Sequence, residues 1–538
     1  MKENWKYKKL FYVMLFIVIV SLGFTVVIMS GLFDETDGKE GKYWFYEESL
    51  QTGKTVELEN AYVYSNSNGQ LEFLYDNITY TIEGKLEEDF AGVADIVVEG
   101  DKIAKVRIKP DATAGILHSY NDVLVQVICE SDDVATGSTE DIASTEIKKL
   151  ARENALPVYK IEDNKVVQSN WNQMIVGSSK VSCVMENGQV CAVIIDESLP
   201  TEIRVVIKNG SSIFYTELYV KKQSDGSMIN VENTMNEQEL YTLELTDEQG
   251  LILCNKDGKA LGEAYEGIFR IIKTENGLVL VNQLPIETYV KYVLPSEMPK
   301  TFHEEALKAQ AVCARTFAYA HIRNQSYAMY GANLDDSTSF QVYHATGRYE
   351  ETDAAVDTTA GEIITCNGEL VTCYYFSTSA GMTNDMSVWG SETPEYIAMR
   401  ESEDTESPFY RWKAYLDGDL KAVEVVSSNS AGYVTEVKLV YDKETVTLTK
   451  ENDIRKALGV YLQETVLNNG KVRTDLSMIP SANFKVSEVY DTQIVLEGGG
   501  FGHGIGMSQY GADQMAKAGF GYKAIIEHYF NNVVVKSI

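Results

Sequence analysis

Glu297 lies in Pro295-Ser296-Glu297-Met298-Pro299, with Leu294 and Phe302 close by in sequence. A carboxyl group held among apolar neighbours is harder to ionise, and a carboxyl that keeps its proton near neutral pH is what general acid catalysis requires. The same position suits a second role, as a helix-capping or ion-pairing glutamate. A second candidate group is His503, inside a run with glycine at every second position from Gly498 to Gly506. Alternating glycines let an extended backbone lie close to a bulky ligand, with His503 on one face and little around it. They equally suit a strand packed beneath another backbone, with His503 a satisfied structural histidine. The spacing does not follow G-x-G-x-x-G and lacks a βαβ context, which excludes a dinucleotide site.

These groups need elements to hold them. Pro285 suits a first helical position, and Pro295 predicts that the same helix ends near Leu294, leaving Ser296-Glu297-Met298 as a connector whose Met298 is held extended by Pro299. A second helix is predicted from a capping box, Thr301-x-x-Glu304, with Leu307, Ala311, Ala314, Ala318 and Ile322 on its apolar face. Beyond it lie a polar loop over residues 335–343, a helix over 349–359, and a hairpin turning at Asn367-Gly368 whose second strand reaches 374–381. Ser508 could cap a helix after the glycine run.

At 538 residues the chain exceeds one domain, on a prior of roughly one domain per 100 to 200 residues. The net charge of -32 excludes nucleic acid as a partner, because phosphate backbones are held by clustered Lys and Arg. Residues 10–33 are uncharged and overwhelmingly apolar, about the length that crosses a bilayer. Lys2, Lys6, Lys8 and Lys9 precede them and Asp34, Glu35 and Asp37 follow, which predicts an uncleaved single-pass anchor with a cytoplasmic amino terminus and an extracytoplasmic remainder. The expected organisation is a tail over 1–9, a transmembrane helix over 10–33, a linker over 34–42, small β-rich modules over 43–200 and a catalytic domain over 201–538. Residues 131–152 are acidic and Ser/Thr-rich before turning helical, and separate two such modules. The fold class is α+β, with helices around the catalytic connector packed on mixed β-sheets. Seven scattered cysteines are no disulfide framework; in 183–191 a three-residue loop would set Cys183 opposite Cys191, as a disulfide or as two reduced thiols.

Three segments together resemble the stage II sporulation protein D family, also called the amidase-enhancer family. They are Asn282-x-Leu284-Pro285-x-Glu287-x-Tyr289 with Val293-x-Pro295-Ser296-Glu297-Met298-Pro299, then residues 306–316, then residues 500–512. The likeness covers roughly residues 201–538. It implies a lytic transglycosylase acting on peptidoglycan glycan strands, in sporulating members during engulfment, with Glu297 as its catalytic residue. One glutamate then protonates the oxygen between N-acetylmuramic acid and N-acetylglucosamine, and as carboxylate takes the proton of the sugar's own 6-hydroxyl. Ordinary glycosidases use a second carboxylate. The resemblance also implies substrate contacts from Ser296, Arg315, Gln341, Tyr343, Ser377, His503, Gln509 and Tyr510, with Arg315 either a donor into the cleft or half of a buried ion pair. Clostridial members carry zinc in a loop of the form C-x-D-x-x-H-C-Q-x-Y. Here Leu334, Ser339 and Phe340 stand at three ligand positions, which excludes that site, so no metal or other cofactor is expected. The implied partners are glycan strands and a cell-wall amidase. Two other readings remain: a non-catalytic, glycan-binding enhancer of an amidase, which the intact Glu297 segment disfavours, and a cysteine hydrolase using Cys313 and His503, which the alanine-rich setting of Cys313 disfavours.

Overall fold

The computed structural model describes residues 45, 49 and 52–538, apart from 68, 85–89, 110–111, 130–145, 154–155, 163–164, 197–199, 235–241, 325 and 345–346. Two compact units divide the chain, residues 1–108 and 109–538. In the first, five antiparallel strands follow the order Ile78–Glu83, Gln70–Tyr75, Val56–Ser67, Gly92–Glu99, Lys102–Ile108. Alternation along these strands buries Phe73, Ile82, Ile96 and Val98 in a core of their own.

The second unit opens with a seven-stranded sheet running from Lys165–Ser169 at one edge to Glu146–Ala151 at the other. Its hairpin of Lys180–Glu186 and Gln189–Asp196 turns at Asn187-Gly188, two residues rather than the expected three, because both take positive φ. Cys183 therefore faces Val193, not Cys191, and the two do not form a disulfide. The helical turn expected before Arg152 is instead the strand Glu146–Ala151, whose backbone groups pair with Leu124–Cys129; most of the acidic stretch ahead of it lies outside the described residues.

The site is carried by the rest of this unit. Glu202–Ile207, Gly277–Pro285, Ile268–Thr274, Thr242–Thr246 and Leu334–Asp335 form one sheet. Against it pack α1 (Ile286–Glu297), α2 (Glu304–His321) and α3 (Glu350–Thr358). A further five-stranded sheet, centred on Trp412–Asp417 and Gln493–Gly498, encloses its own core with α4 (Glu451–Gly459). The chain then returns to the core around α1 and α2 through α5 (Gln509–Lys517) and α6 (Tyr522–Tyr529), and Val533–Ser537 pairs with Glu362–Cys366.

Three expectations are corrected here. The fold is predominantly β rather than α+β: strands far outnumber helices among the described residues, because most of what lies outside the packing around Glu297 is antiparallel sheet. The single-pass membrane placement finds no support in the structure: no helix among the described residues is long and apolar enough to cross a membrane. Residues 10–33, with the flanking tail and linker, lie outside the described residues. Finally, α1 does not stop at Leu294. It runs through Pro295 to Glu297, and the Met298 N–H closes the last turn on the Leu294 carbonyl at 2.9 Å. A proline's fixed φ is itself helical, so in a last turn it removes one donor without ending the helix. The stop is Met298, held extended at φ -127, ψ 133 ahead of Pro299.

Candidate active site

Glu297 is thus the last residue of α1 and opens onto a cleft of about 690 Å³. Phe302 from the α1–α2 turn, Phe317 from α2, Phe340, Tyr374, Trp389, Phe409 and Phe501 supply aromatic walls. Rings of this kind cover the apolar faces of sugar rings while polar edges remain free to bond. Among the lining residues Glu297 is the one carboxylate, and there is no Lys or Arg.

Burial pushes the Glu297 carboxyl up to about 7, against two donors that favour its charged form, the Val342 N–H and the Tyr375 hydroxyl. The Val342 amide reaches Oε1 at 2.7 Å. Near neutral pH the group therefore exists in both forms, as a residue that must give and then take a proton requires.

The α2 cap differs from the predicted box. His303, at φ -60, ψ 143, is the N-cap, and its Nδ1 accepts from the Glu305 N–H. The Asp513 carboxylate of α5 takes the His303 N–H at 2.7 Å, so the start of α2 is fixed from a segment 210 residues away. Thr301 is left outside. Ser508 caps α5 as expected, its hydroxyl accepting from the Gly511 N–H.

Of the other predicted contacts, Ser377, His503, Gln509 and Tyr510 line the cleft with Glu297. Ser296, Arg315, Gln341 and Tyr343 do not. The Ser296 hydroxyl donates back to the Tyr292 carbonyl at 2.7 Å. Arg315 is fully buried and pairs in a fork with Glu287, at 2.8 and 2.7 Å, while also donating to the carbonyls of Glu362 and Val356. It is the buried ion pair of the two alternatives. Tyr343 stacks on Tyr289 and donates to Asn282 Oδ1 at 2.7 Å. Gln341 is buried, with Oε1 accepting from the Tyr289 hydroxyl and Nε2 donating to the Ala314 carbonyl and the Tyr375 hydroxyl.

The glycine run serves the protein's own packing. It is no regular strand: Gly500, Gly502, Gly504 and Gly506 all take positive φ. A Cβ on Gly506 would stand 2.1 Å from the Tyr374 carbonyl oxygen, and one on Gly504 2.5 Å from the Tyr433 hydroxyl. Glycine is required there because other protein groups fill the space a ligand was expected to take. His503 is accordingly surrounded, by Trp389, Phe376 and Tyr374. Its Nδ1 accepts from the Ile505 N–H at 3.0 Å. Burial, with the Arg455 charge, pushes its pKa down to about 3, so it stays neutral.

In the loop matching the zinc segment, Leu334 is in the core, Ser339 and Phe340 line the cleft, and Asp336 accepts from the Lys208 N–H. A leucine and a phenylalanine have no lone pair to offer, so the residues present do not fit a tetrahedral zinc. Cys313 is fully buried in α2 and does not line the cleft that His503 faces, which removes the geometry a thiol nucleophile and its base would need. Sequence reasoning missed Tyr375. The available signal was its place two residues before Ser377 in the strand expected over 374–381, where side chains would share a face; the structure keeps only Tyr375–Phe376 of that strand.

Residues 274–366 match the family model described as stage II sporulation protein. Stage II sporulation protein D of Bacillus subtilis is 33% identical over 279 residues, covering 47% of this chain and 75% of that protein. An uncharacterised protein of Brachyspira hyodysenteriae is 31% identical over 291 residues, covering 53% of this chain and 76% of its own. The amidase enhancer of Bacillus subtilis is 30% identical over 294 residues, 46% of this chain and 40% of that protein. With three quarters of the sporulation protein's length matched and the Glu297 segment inside the family region, this chain belongs to the stage II sporulation protein D family.

Proposed function

We propose that this protein is a lytic transglycosylase that cleaves the bond between N-acetylmuramic acid and N-acetylglucosamine in peptidoglycan glycan strands, in a sporulating cell's wall remodelling. The observation that carries this reading is a single carboxyl group, pushed up to about 7, in an otherwise uncharged, aromatic-walled cleft. Glu297 donates its proton to the bridging oxygen as the glycosidic bond breaks. The resulting carboxylate accepts the proton of the muramoyl 6-hydroxyl as that oxygen closes on C1, leaving a 1,6-anhydro end. A second carboxylate is not needed, because no water has to be activated. Ser377, Gln509 and Tyr510 provide hydrogen-bonding edges along the cleft, and the rings of Trp389 and Phe302 provide faces.

The test is digestion of purified glycan strands with the full chain and mass analysis of the fragments. Products about one water lighter than hydrolytic ones are expected, because an internal hydroxyl replaces water as nucleophile. Reducing ends would overturn the mechanism. The relative named amidase enhancer favours one other reading, a glycan-binding protein that stimulates an amidase. Unchanged glycan together with accelerated peptide release by an added cell-wall amidase would select it.

A further inference from the structure

Burial alternates along residues 341–343. Gln341 and Tyr343 are buried, while Val342 between them lines the cleft. Each buried neighbour is tied to the core by its side chain. Gln341 Oε1 accepts from the Tyr289 hydroxyl of α1 at 3.1 Å, and its Nε2 donates to the Ala314 carbonyl of α2 at 3.2 Å and to the Tyr375 hydroxyl at 3.0 Å. The Ala314 carbonyl can only accept, which fixes the orientation of this amide. Tyr343 stacks on Tyr289, with ring centroids 5.1 Å apart, and donates to Asn282 Oδ1 at 2.7 Å on the strand Gly277–Pro285. Between the two anchors lies the one backbone N–H that reaches the carboxyl group, that of Val342, at 2.7 Å from Glu297 Oε1. Tyr289, which both anchors touch, stands on the same helix as Glu297, about two turns earlier. The loop is therefore registered against the helix that carries the carboxyl.

We infer that Gln341 and Tyr343 are positioning residues: their side chains hold the Val342 N–H on the Glu297 carboxyl and so favour its charged form, the form that takes the 6-hydroxyl proton. Neither lines the cleft, so both act without touching substrate. The inference deepens the proposed function and rests on it for the effect on cleavage, but not for the effect on the carboxyl itself. Titratable groups on the elements packed around Glu297 are engaged elsewhere or neutral. On α1, Tyr289 donates to Gln341; on α2, His321 Nδ1 bonds the Phe317 carbonyl and Cys313 is buried. In the loop, Asp335 accepts from Ser337 and Tyr327, and Asp336 from the Lys208 N–H. Tyr375 accepts from Gln341, Tyr374 packs on Trp389, His503 is neutral, Tyr510 packs on Phe302, and Asp513 pairs with Lys517. None brings a cation to the carboxyl.

A donor to a carboxylate lowers its pKa, so losing the Val342 N–H should raise the Glu297 midpoint from about 7 by roughly one pH unit. The experiment is pH-difference infrared spectroscopy of the full chain, with Glu297→Gln identifying the carboxyl band, alongside glycan cleavage against pH. Val342→Pro removes the N–H; where it does not fold, an ester at the same bond, made with the α-hydroxy analogue of valine, does so without the ring. Gln341→Leu and Tyr343→Phe keep bulk and remove the anchoring hydrogen bonds. The expected result is an upward shift of the band in the Val342 variant and in Gln341→Leu, a smaller one in Tyr343→Phe, and an equal shift of the alkaline limb of the rate. Gln341→Leu should add nothing once the Val342 N–H is gone, because both changes act on one bond. A midpoint unmoved in the folded Val342 variant, or in folded Gln341→Leu, overturns the inference, as does a further shift when the two are combined. A shifted band in a protein that cleaves no glycan would sustain the positioning and reject the lytic reading.

Discussion

Glu297 and Asp404 are both buried carboxyl groups, and burial raises both, to about 7 and about 6. Their surroundings differ. Asp404 is fully buried and saturated: Ser402 donates to Oδ1, and Ser508 and the Ser379 N–H donate to Oδ2. It ties the 379 loop to the cap of α5, which carries Gln509 and Tyr510 into the cleft. Glu297 has one oxygen facing a backbone amide and opens onto the aromatic-walled cleft. A raised pKa alone therefore does not single out a catalytic candidate; a raised pKa with an open path for a substrate does.

The largest separation between the two sites should come from removing ionisation at Glu297. Glu297→Gln is expected to lose at least about 10²- to 10⁴-fold in glycan cleavage while still binding strands, measured by release of anhydro-ended fragments and by co-sedimentation. Cleavage at the wild-type rate would make Glu297 structural and erase the contrast with Asp404.

Arg315 tests whether a residue matched to the family's segments must act in the cleft. Arg315→Ala leaves a buried gap beside Glu287; breaking a fully buried pair typically costs about 3–5 kcal/mol, and less is expected here because the Glu287 side chain keeps 38% of its surface in solvent. Denaturant unfolding should show that loss, while the pH midpoint of any residual activity stays with Glu297. A wild-type midpoint of unfolding with a large rise in KM would return Arg315 to the substrate.

Linkage gives a third test. The folded pKa of Glu297, about 7, lies above its ordinary value of 4.5, so its contribution to stability is fully present below pH 4.5 and is lost as pH rises through 7. Glu297→Gln, which cannot ionise, should match wild type near pH 4 and exceed it above pH 7, by up to about 3 kcal/mol. Urea unfolding at the two pH values decides it; no pH-dependent difference would mean that the carboxyl is not desolvated. Asp404→Ala should behave differently, losing about 1–3 kcal/mol at neutral pH because three donors lose their acceptor. A thermal midpoint unchanged from wild type would show that the junction does not depend on Asp404. The smallest expected effect is that of a chelator, which should alter neither melting nor cleavage, since Leu334 and Phe340 cannot bind zinc. Stoichiometric zinc surviving dialysis would show that another ligand set exists.

The region around Glu297 was legible because its information is local. Prolines constrain their own neighbours, and the helical spacing of Leu307, Ala311 and Ala314 requires a buried face. The helix over Glu350–Thr358, the turn at Asn367-Gly368 and the Ser508 cap came from the same kind of signal. Local rules still misplaced the end of α1, since a last-turn proline is tolerated, and chose Thr301 as a cap that Asp513 hands to His303 from far along the chain.

What only the tertiary structure decided was which side the partners come from. The alternating glycines are equally compatible with a ligand and with another segment of the same chain, and only the fold brings Tyr374 and Tyr433 against them. Arg315 and Gln341 carry the donors a sugar needs, but packing turns them to Glu287 and Tyr375. The sequence by itself singled out the carboxyl group to test, because Glu297 and its prolines are contiguous. The identity of the groups that tune it depended on contacts across dozens to hundreds of residues, which no local preference encodes.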